Sequence, residues 1–99
     1  MDDTTAPFSA TLAHLNGNAI VVLIGELDLE TAAELEWVLG ELIQAGRPEV
    51  VLDCSALSFM TSSGLTVLIG AQKQLRQQGR HLTLRAPRPV VARVLEIRA

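Results

Sequence analysis

Residues Leu57 to Leu65 read LSFMTSSGL, and this stretch decides how the chain is organised. Upstream, Val50, Val51 and Leu52 form a tightly apolar run, which predicts a buried strand over Glu49 to Cys54 followed by a short turn. Downstream, Leu65, Leu68, Ile69 and Leu75 recur at helical spacing and predict a helix from about Ser62 to Gln78, ended by Gly79. Two serines therefore stand at the mouth of a helix, among backbone N–H groups that have no intrahelical partner and carry partial positive charge. A phosphate there is accommodated rather than expelled. The segment from Cys54 to Gln72 contains no Asp, Glu, Lys or Arg. Modifying one hydroxyl would thus switch the charge of an otherwise neutral docking face.

Working outward, residues 1–7 read as a polar tail, and the domain as residues 8–99. Phe8, Ala10 and Leu12 alternate with Ser9, Thr11 and Ala13, the pattern of a half-buried strand. Asn16-Gly17-Asn18 is a turn able to take positive φ, so a hairpin follows. Ala19 to Ile24 is an unbroken apolar run, expected to be a central strand buried on both faces. Thr31 and Glu34 have capping-box spacing, and Leu35, Val38, Leu39, Leu42 and Ile43 make the apolar stripe of a first helix, which Gly46 and Pro48 stop. His81 to Arg85 turns Leu82 and Leu84 inward as a strand covered on one face. Pro87 and Pro89 lead into a short helix with Val91, Val94 and Leu95 inward. The order β-β-α-β-α-β-α predicts an α/β domain, with a hairpin feeding right-handed crossovers into a mixed sheet packed with helices.

The bulk numbers agree with one domain. Ninety-nine residues at 48% hydrophobic content suffice for a single core, and with three aromatics (Phe8, Trp37, Phe59) that core is aliphatic. A single cysteine excludes an internal disulfide and fits a reducing cytoplasm; Cys54, at a strand end, reads as a small buried filler. The chain opens on Asp2 and Asp3 with no basic-then-apolar leader. The uncharged segment is about long enough to span a bilayer, but its serines and threonines argue for a soluble helix without membrane insertion. Net charge is −3 and lopsided: ten of eleven acids lie between Asp2 and Asp53, and seven of eight bases between Lys73 and Arg98. Solvated helix faces account for most of these charges, and a charged protein partner would fit the remainder. Nucleic-acid binding is disfavoured by the acidic balance and the lack of a basic aromatic cluster.

The serine stretch resembles the phospho-acceptor motif of bacterial anti-sigma factor antagonists, the STAS family, written F-M-D-S-S-G-L. Here it reads Phe59, Met60, Thr61, Ser62, Ser63, Gly64 and Leu65, matching everywhere except Thr61, where the family usually carries aspartate. Ile24-Gly25-Glu26-Leu27-Asp28 followed by Thr31-Ala32 resembles the family's L-x-G-E-L-D-x-x-T-A segment. Val50 through Ser55 resembles V-V-L-D-L-S, and Pro87 through Leu95 resembles P-x-x-V-x-R-V-L-E. The match covers roughly residues 8–97, in order. Family members usually continue with another short strand or helix beyond Ile97-Arg98-Ala99, so the last layer is expected to be absent or supplied by a neighbour.

The resemblance implies a single STAS domain that is itself no enzyme and needs no cofactor or metal. Unphosphorylated, it would bind an anti-sigma factor of the histidine-kinase-like ATPase class, a serine kinase, and free a sigma factor. Phosphorylated on Ser62, it would let go, and a phosphoserine phosphatase would reset it. Partner contacts would come from Gly25, Glu26, Leu27, Asp28 and Thr31, with Glu26 and Asp28 in the loop before the first helix, and from Phe59, Met60, Thr61, Ser63, Gly64 and Leu65. Glu26 and Asp28 have an equal alternative role, complementing the dipole of the first helix. Gly64, lacking Cβ, is expected to let a partner approach the serine closely. With Thr61 at the N-cap, stability should change by less than about 1 kcal/mol relative to aspartate. The charge would switch from zero to about −2 instead of from −1 to about −3. A different class shares the fold: STAS adaptor subunits of membrane lipid-transport ATPases, which dock constitutively without phosphorylation.

Other chemistry is weakly supported. His14 or His81 with Asp53 and Ser62 makes a nominal hydrolase triad, but no G-x-S-x-G elbow is present, and neither metal-ligand spacing nor a glycine-rich phosphate loop occurs. Trp37 falls opposite the apolar stripe of the first helix, with Ala33, Gly40 and Gln44, and is expected to be exposed as a second contact or self-association patch.

Overall fold

The computed structural model describes residues 7–16, 18–89 and 91–93. The chain runs β1 (Ser9–Leu15), β2 (Asn18–Leu27), α1 (Leu29–Gln44), β3 (Glu49–Met60), α2 (Ser62–Gln77) and β4 (His81–Arg85). A closing helical turn follows, in which Val91 and Ala92 donate to the Arg88 carbonyl. The four strands form one sheet in the order β1-β2-β3-β4. β1 and β2 are antiparallel, with Ser9 opposite Ile24 and Leu15 opposite Asn18, so the hairpin turns at Asn16, whose φ is 55°. Gly17 lies outside the described residues, as do Val94 and Leu95 of the last expected helix. β2–β3 and β3–β4 are parallel, each joined by a helical crossover, and both helices lie on the same face.

That arrangement corrects the reading of the central strands. β2 and β3 are not buried on both faces: burial alternates along each, with Ala19, Val21, Leu23, Val50, Leu52 and Cys54 under the helices. Ile20, Val22, Ile24 and Val51 are half-buried on the uncovered face. A contiguous apolar run is needed only where helices cover both sides of a parallel sheet. At the β1 edge Phe8 and Ala10 pack against the core, while Leu12 remains exposed.

The helices bury Leu35, Leu39, Leu42 and Ile43 from α1, and Gly64, Leu65, Leu68, Ala71 and Leu75 from α2, onto that strand face. Ile69, inward by its spacing in the sequence, is exposed; Ala71 takes an inward position instead. The helices end at Gly46 and Gly79, whose φ values of +77° and +71° make them low-cost reversals. The cap of α1 also differs from expectation. The N-cap is Asp28, one turn before Glu34 would require, and the capping box is Asp28–Thr31. Asp28 accepts from the N–H groups of Glu30 and Thr31, both at 3.0 Å, and its own N–H donates to Thr31 Oγ1 at 2.8 Å. Aspartate is a strong N-cap, so the earlier residue wins.

The C-terminus of α1 has no basic residue in its last turn. Arg80, arriving at β4 from the far end of α2, fills that role. Its guanidinium donates to the carbonyls of Arg47 (2.7 Å), Ile43 (2.9 Å) and Leu42 (3.3 Å), and also meets Gln78 Oε1. These are carbonyls at and just beyond a helix end, where intrahelical partners run out, and a cation there complements the helix dipole.

Candidate functional site: the paired ends of two parallel strands

The C-terminal ends of β2 and β3 lie side by side, the edge of a parallel sheet where ligand and partner sites form. β3 extends to Met60, so Leu57–Met60 is strand where the sequence suggests a turn. Its pairing with β2 is uneven. Val22 faces Asp53 and Leu27 faces Met60, with register shifts after Val22 and Gly25. β3 thereby fits two extra residues alongside β2, and such bulges re-aim a strand end. Ser58 stitches the irregular stretch by donating from Oγ to the Gly25 carbonyl at 3.1 Å.

β3 hands over to α2 at Thr61. The Thr61 N–H donates to the Leu27 carbonyl at 2.9 Å, and its carbonyl accepts from Leu65 N–H at 3.1 Å, so it is the N-cap. Its side chain does not cap α2; the hydroxyl leans back to the same Leu27 carbonyl at 3.4 Å. Ser62 is therefore the first helical residue. It is exposed, its carbonyl accepts from Thr66 Oγ1 at 2.9 Å, and among the described residues nothing engages its hydroxyl. Ser63 is half-buried.

The residues expected to contact a partner divide sharply. Glu26, Phe59 and Ser62 are exposed, and Phe59 faces Glu26 across the strand pair. Asp28, Thr31, Thr61 and Ser63 are half-buried. Gly25, Leu27, Met60, Gly64 and Leu65 are buried and support the surface from below. The expectation for Gly64 is corrected. A Cβ on Gly64 would stand 2.6 Å from Leu27 Cγ and 2.7 Å from its Cδ2, so the missing side chain serves internal packing, not partner access. Glu26 belongs to β2 and not to a loop, while Leu29, at 76% exposure, extends the outer surface at the start of α1.

Electrostatically the serine end is neutral along its own segment, with Glu26 and Glu30 exposed on the neighbouring one. The Asp28 carboxyl is held below the usual carboxylate range, first by the Thr31 N–H and then by the Thr31 hydroxyl. These bonds make it the N-cap of α1. Asp53 is also lowered, by the Ser55 N–H and hydroxyl ahead of Arg85, which it meets at 3.3 Å.

The nominal triad is not assembled. His14 pairs with Ala19 and His81 with Glu49, at the opposite end of the parallel strands from Met60. His14 Nε2 lies 3.2 Å from an Arg47 nitrogen. Burial pushes the Cys54 thiol up to about 11, which leaves it a packed, protonated side chain. Among the described residues no cluster of His, Cys, Asp or Glu could hold a metal ion, and no helix is long and apolar enough to cross a membrane.

The sequence model of the STAS domain family matches residues 9–98. The chain belongs to the STAS domain family. The anti-sigma F factor antagonist of Paenibacillus polymyxa is 37% identical over 87% of this chain and 74% of its own length. The anti-sigma-F factor antagonist RsfB of Mycobacterium tuberculosis is 38% identical over 70% of this chain. That match spans 57% of RsfB, so the STAS chain covers little more than half of this relative. Among solved structures, an anti-sigma factor antagonist from Mycobacterium paratuberculosis superposes with a TM-score of 0.86 at 27% identity, covering 95% of this chain and 81% of that one. These three relatives are anti-sigma factor antagonists of bacteria.

Proposed function

We propose that this STAS domain is an anti-sigma factor antagonist that works by partner switching in the bacterial cytoplasm. Unphosphorylated, it binds an anti-sigma factor of the histidine-kinase-like ATPase class and so releases a sigma factor. The same partner, acting as a serine kinase, phosphorylates Ser62 and is then released; a phosphoserine phosphatase restores the binding form. The protein is substrate and ligand, and the catalytic machinery belongs to the partner.

The observation that carries this reading is the Ser62 hydroxyl: exposed, unengaged among the described residues, at the first position of α2, beside exposed Phe59 and an uncharged run. Phosphate adds about −1.5 to −2 charges. The α2 N-terminus stabilises them by about 0.3–1 kcal/mol, so the fold persists. A partner seated over Phe59 must instead desolvate that phosphate, at a cost of a few kcal/mol when no cation meets it. Modification therefore switches association while leaving the domain folded.

Intact-mass measurement after incubation with candidate anti-sigma kinases and ATP tests the reading. One added phosphate mapped to Ser62 is expected, with Ser62→Ala binding the kinase constitutively and Ser62→Asp failing to bind. A phosphate on Ser63, or equal binding by both variants, would overturn it.

A further inference from the structure

The helix layer carries a second surface that the serine switch does not use. Trp37, the only tryptophan, stands on the outward side of α1 and is 68% exposed. Beside it a groove of about 260 Å³ runs between α1 and α2, lined by Leu39, Gly40, Val67, Gly70 and Gln74. This is below the roughly 300–1,000 Å³ of small-molecule pockets, but has room for the edge of an aromatic side chain. Nothing lies within 4 Å of where a Cβ would stand on Gly40 or Gly70, so the hollow is open to a neighbour.

The two helices carry opposite charges. α1 carries Glu30, Glu34, Glu36 and Glu41 with no base, and α2 carries Lys73 and Arg76 with no acid, all of them exposed. Of these charges only Glu36 lines the groove itself; Lys73 and Arg76 stand with Ile69 and Gln77 around a separate hollow across α2 from it. A two-fold axis along the groove lays each α1 on the other copy's α2, the self-complementary arrangement a closed dimer requires. Gly40 and Gly70 line the same groove and the axis keeps each residue at its own level, so Trp37, one turn before Gly40, arrives near Val67 of the other copy, one turn before Gly70. Glu41 arrives near its Lys73. A two-fold axis across the helices would instead set acid on acid.

We propose that this face is the homodimer interface of the protein: Trp37 seats in the α1–α2 groove of a second copy, with Glu41 opposite Lys73. Two 16-residue helices side by side offer a face of about 24 Å by 20 Å, toward the low end of specific interfaces, so the dimer is weak and concentration-dependent.

Sedimentation equilibrium of the whole chain from about 1 μM to about 1 mM tests this. The mean mass is expected to rise from monomer to dimer, with a blue shift of the Trp37 emission over the same range. Trp37→Ala changes an exposed side chain, and Gly70→Leu puts a side chain into the hollow from a position where a Cβ meets nothing within 4 Å; each should weaken the dimer at least tenfold. Lys73→Glu should weaken it, and Glu41→Lys combined with Lys73→Glu should restore it. A chain that stays monomeric at the highest concentration assigns this face to something other than a second copy and overturns the proposal. So does a dimer unaffected by Trp37→Ala, or a charge swap that dimerises no better than Lys73→Glu alone.

Discussion

The Leu27 side chain fills the space where a Cβ of Gly64 would be, with Leu27 Cγ 2.6 Å from that position. This contact joins the two halves of the candidate site. Leu27 ends β2 and is completely buried, and its carbonyl receives the Thr61 N–H that starts α2. The packing beneath the serine and the backbone bond beside it therefore share one residue, and the position of Ser62 depends on how closely α2 approaches β2.

Gly64→Ala should accordingly destabilise the domain despite alanine's better helix propensity. Propensity favours the change by about 1 kcal/mol, but Leu27 has no exposed space to move into, and overpacking costs about 1–3 kcal/mol. A lower urea midpoint with slower phosphorylation of Ser62 is expected. Gly40→Ala is the control: its Cβ meets nothing within 4 Å, so a gain of about 0.5–1 kcal/mol should appear. Equal effects of the two substitutions would refute the packing role of Gly64.

Arg80 holds the end of α1 with one guanidinium on three carbonyls. Lysine cannot reproduce the planar fork, so Arg80→Lys should recover little of what Arg80→Ala loses. With charge-assisted bonds worth about 1.5–3 kcal/mol, Arg80→Ala should lower stability by about 2–3 kcal/mol in chemical denaturation. A loss under about 0.5 kcal/mol would show that water replaces the guanidinium adequately.

Element order and the C-terminal helix ends were legible because they are written in local chemistry. The stripe from Leu35 to Ile43, the hairpin at Asn16 and the stops at Gly46 and Gly79 each depend on a few adjacent residues. What escaped depends on register between distant segments. The extension of β3 to Met60 requires pairing with Gly25–Leu27, and the inward role of Gly64 requires Leu27, 37 positions earlier. Arg80 was invisible for the same reason: nothing in its neighbourhood announces the carbonyls of Leu42 and Ile43. The Asp28 cap, by contrast, was readable, since Asp28 and Thr31 have the N-cap to N3 spacing of a capping box; Thr31–Glu34 has the same spacing in the commoner residue pair. At the site, Ser62 was placed at the helix mouth from sequence, whereas which neighbours face outward emerged only from burial.

The Asp28 cap carries a pH dependence whose direction follows from its lowered pKa. An aspartate in the unfolded chain titrates near 3.9, and Asp28 in the folded chain titrates below that. Its contribution is fully present above about pH 5 and is lost as the pH falls through the folded value, because the unfolded chain takes up its proton first. Asp53 acts in the same direction. Asp28→Asn keeps an N-cap acceptor but cannot titrate, so its melting temperature should be close to the parent's at about pH 7 and fall less between about pH 5 and pH 3. Asp28→Ala should already melt lower at about pH 7. Parallel acid limbs for the parent and Asp28→Asn would remove Asp28 from the acid response.

Thr61 is where this chain departs from the usual acceptor motif, and its geometry suggests what the departure does. The hydroxyl points to the Leu27 carbonyl at 3.4 Å, a long bond, and leaves the first turn of α2 without a side-chain cap. A carboxylate cannot donate to that carbonyl; it would turn to the N–H groups of Ser63 and Gly64, the orphan donors of the helix start. Thr61→Asp should therefore stabilise the domain by about 0.5–1 kcal/mol, whereas Thr61→Val should cost less than about 1 kcal/mol because the backbone bond to Leu27 remains. The introduced carboxylate would also set a fixed negative charge beside Ser62, available to orient the hydroxyl or the metal-bound nucleotide of the kinase. Mixed with the cognate kinase and ATP, Thr61→Asp should be phosphorylated faster than the parent; threonine would then bias the chain toward the unmodified form. Indistinguishable rates would mean that Thr61 affects only the helix start and not phosphoryl transfer.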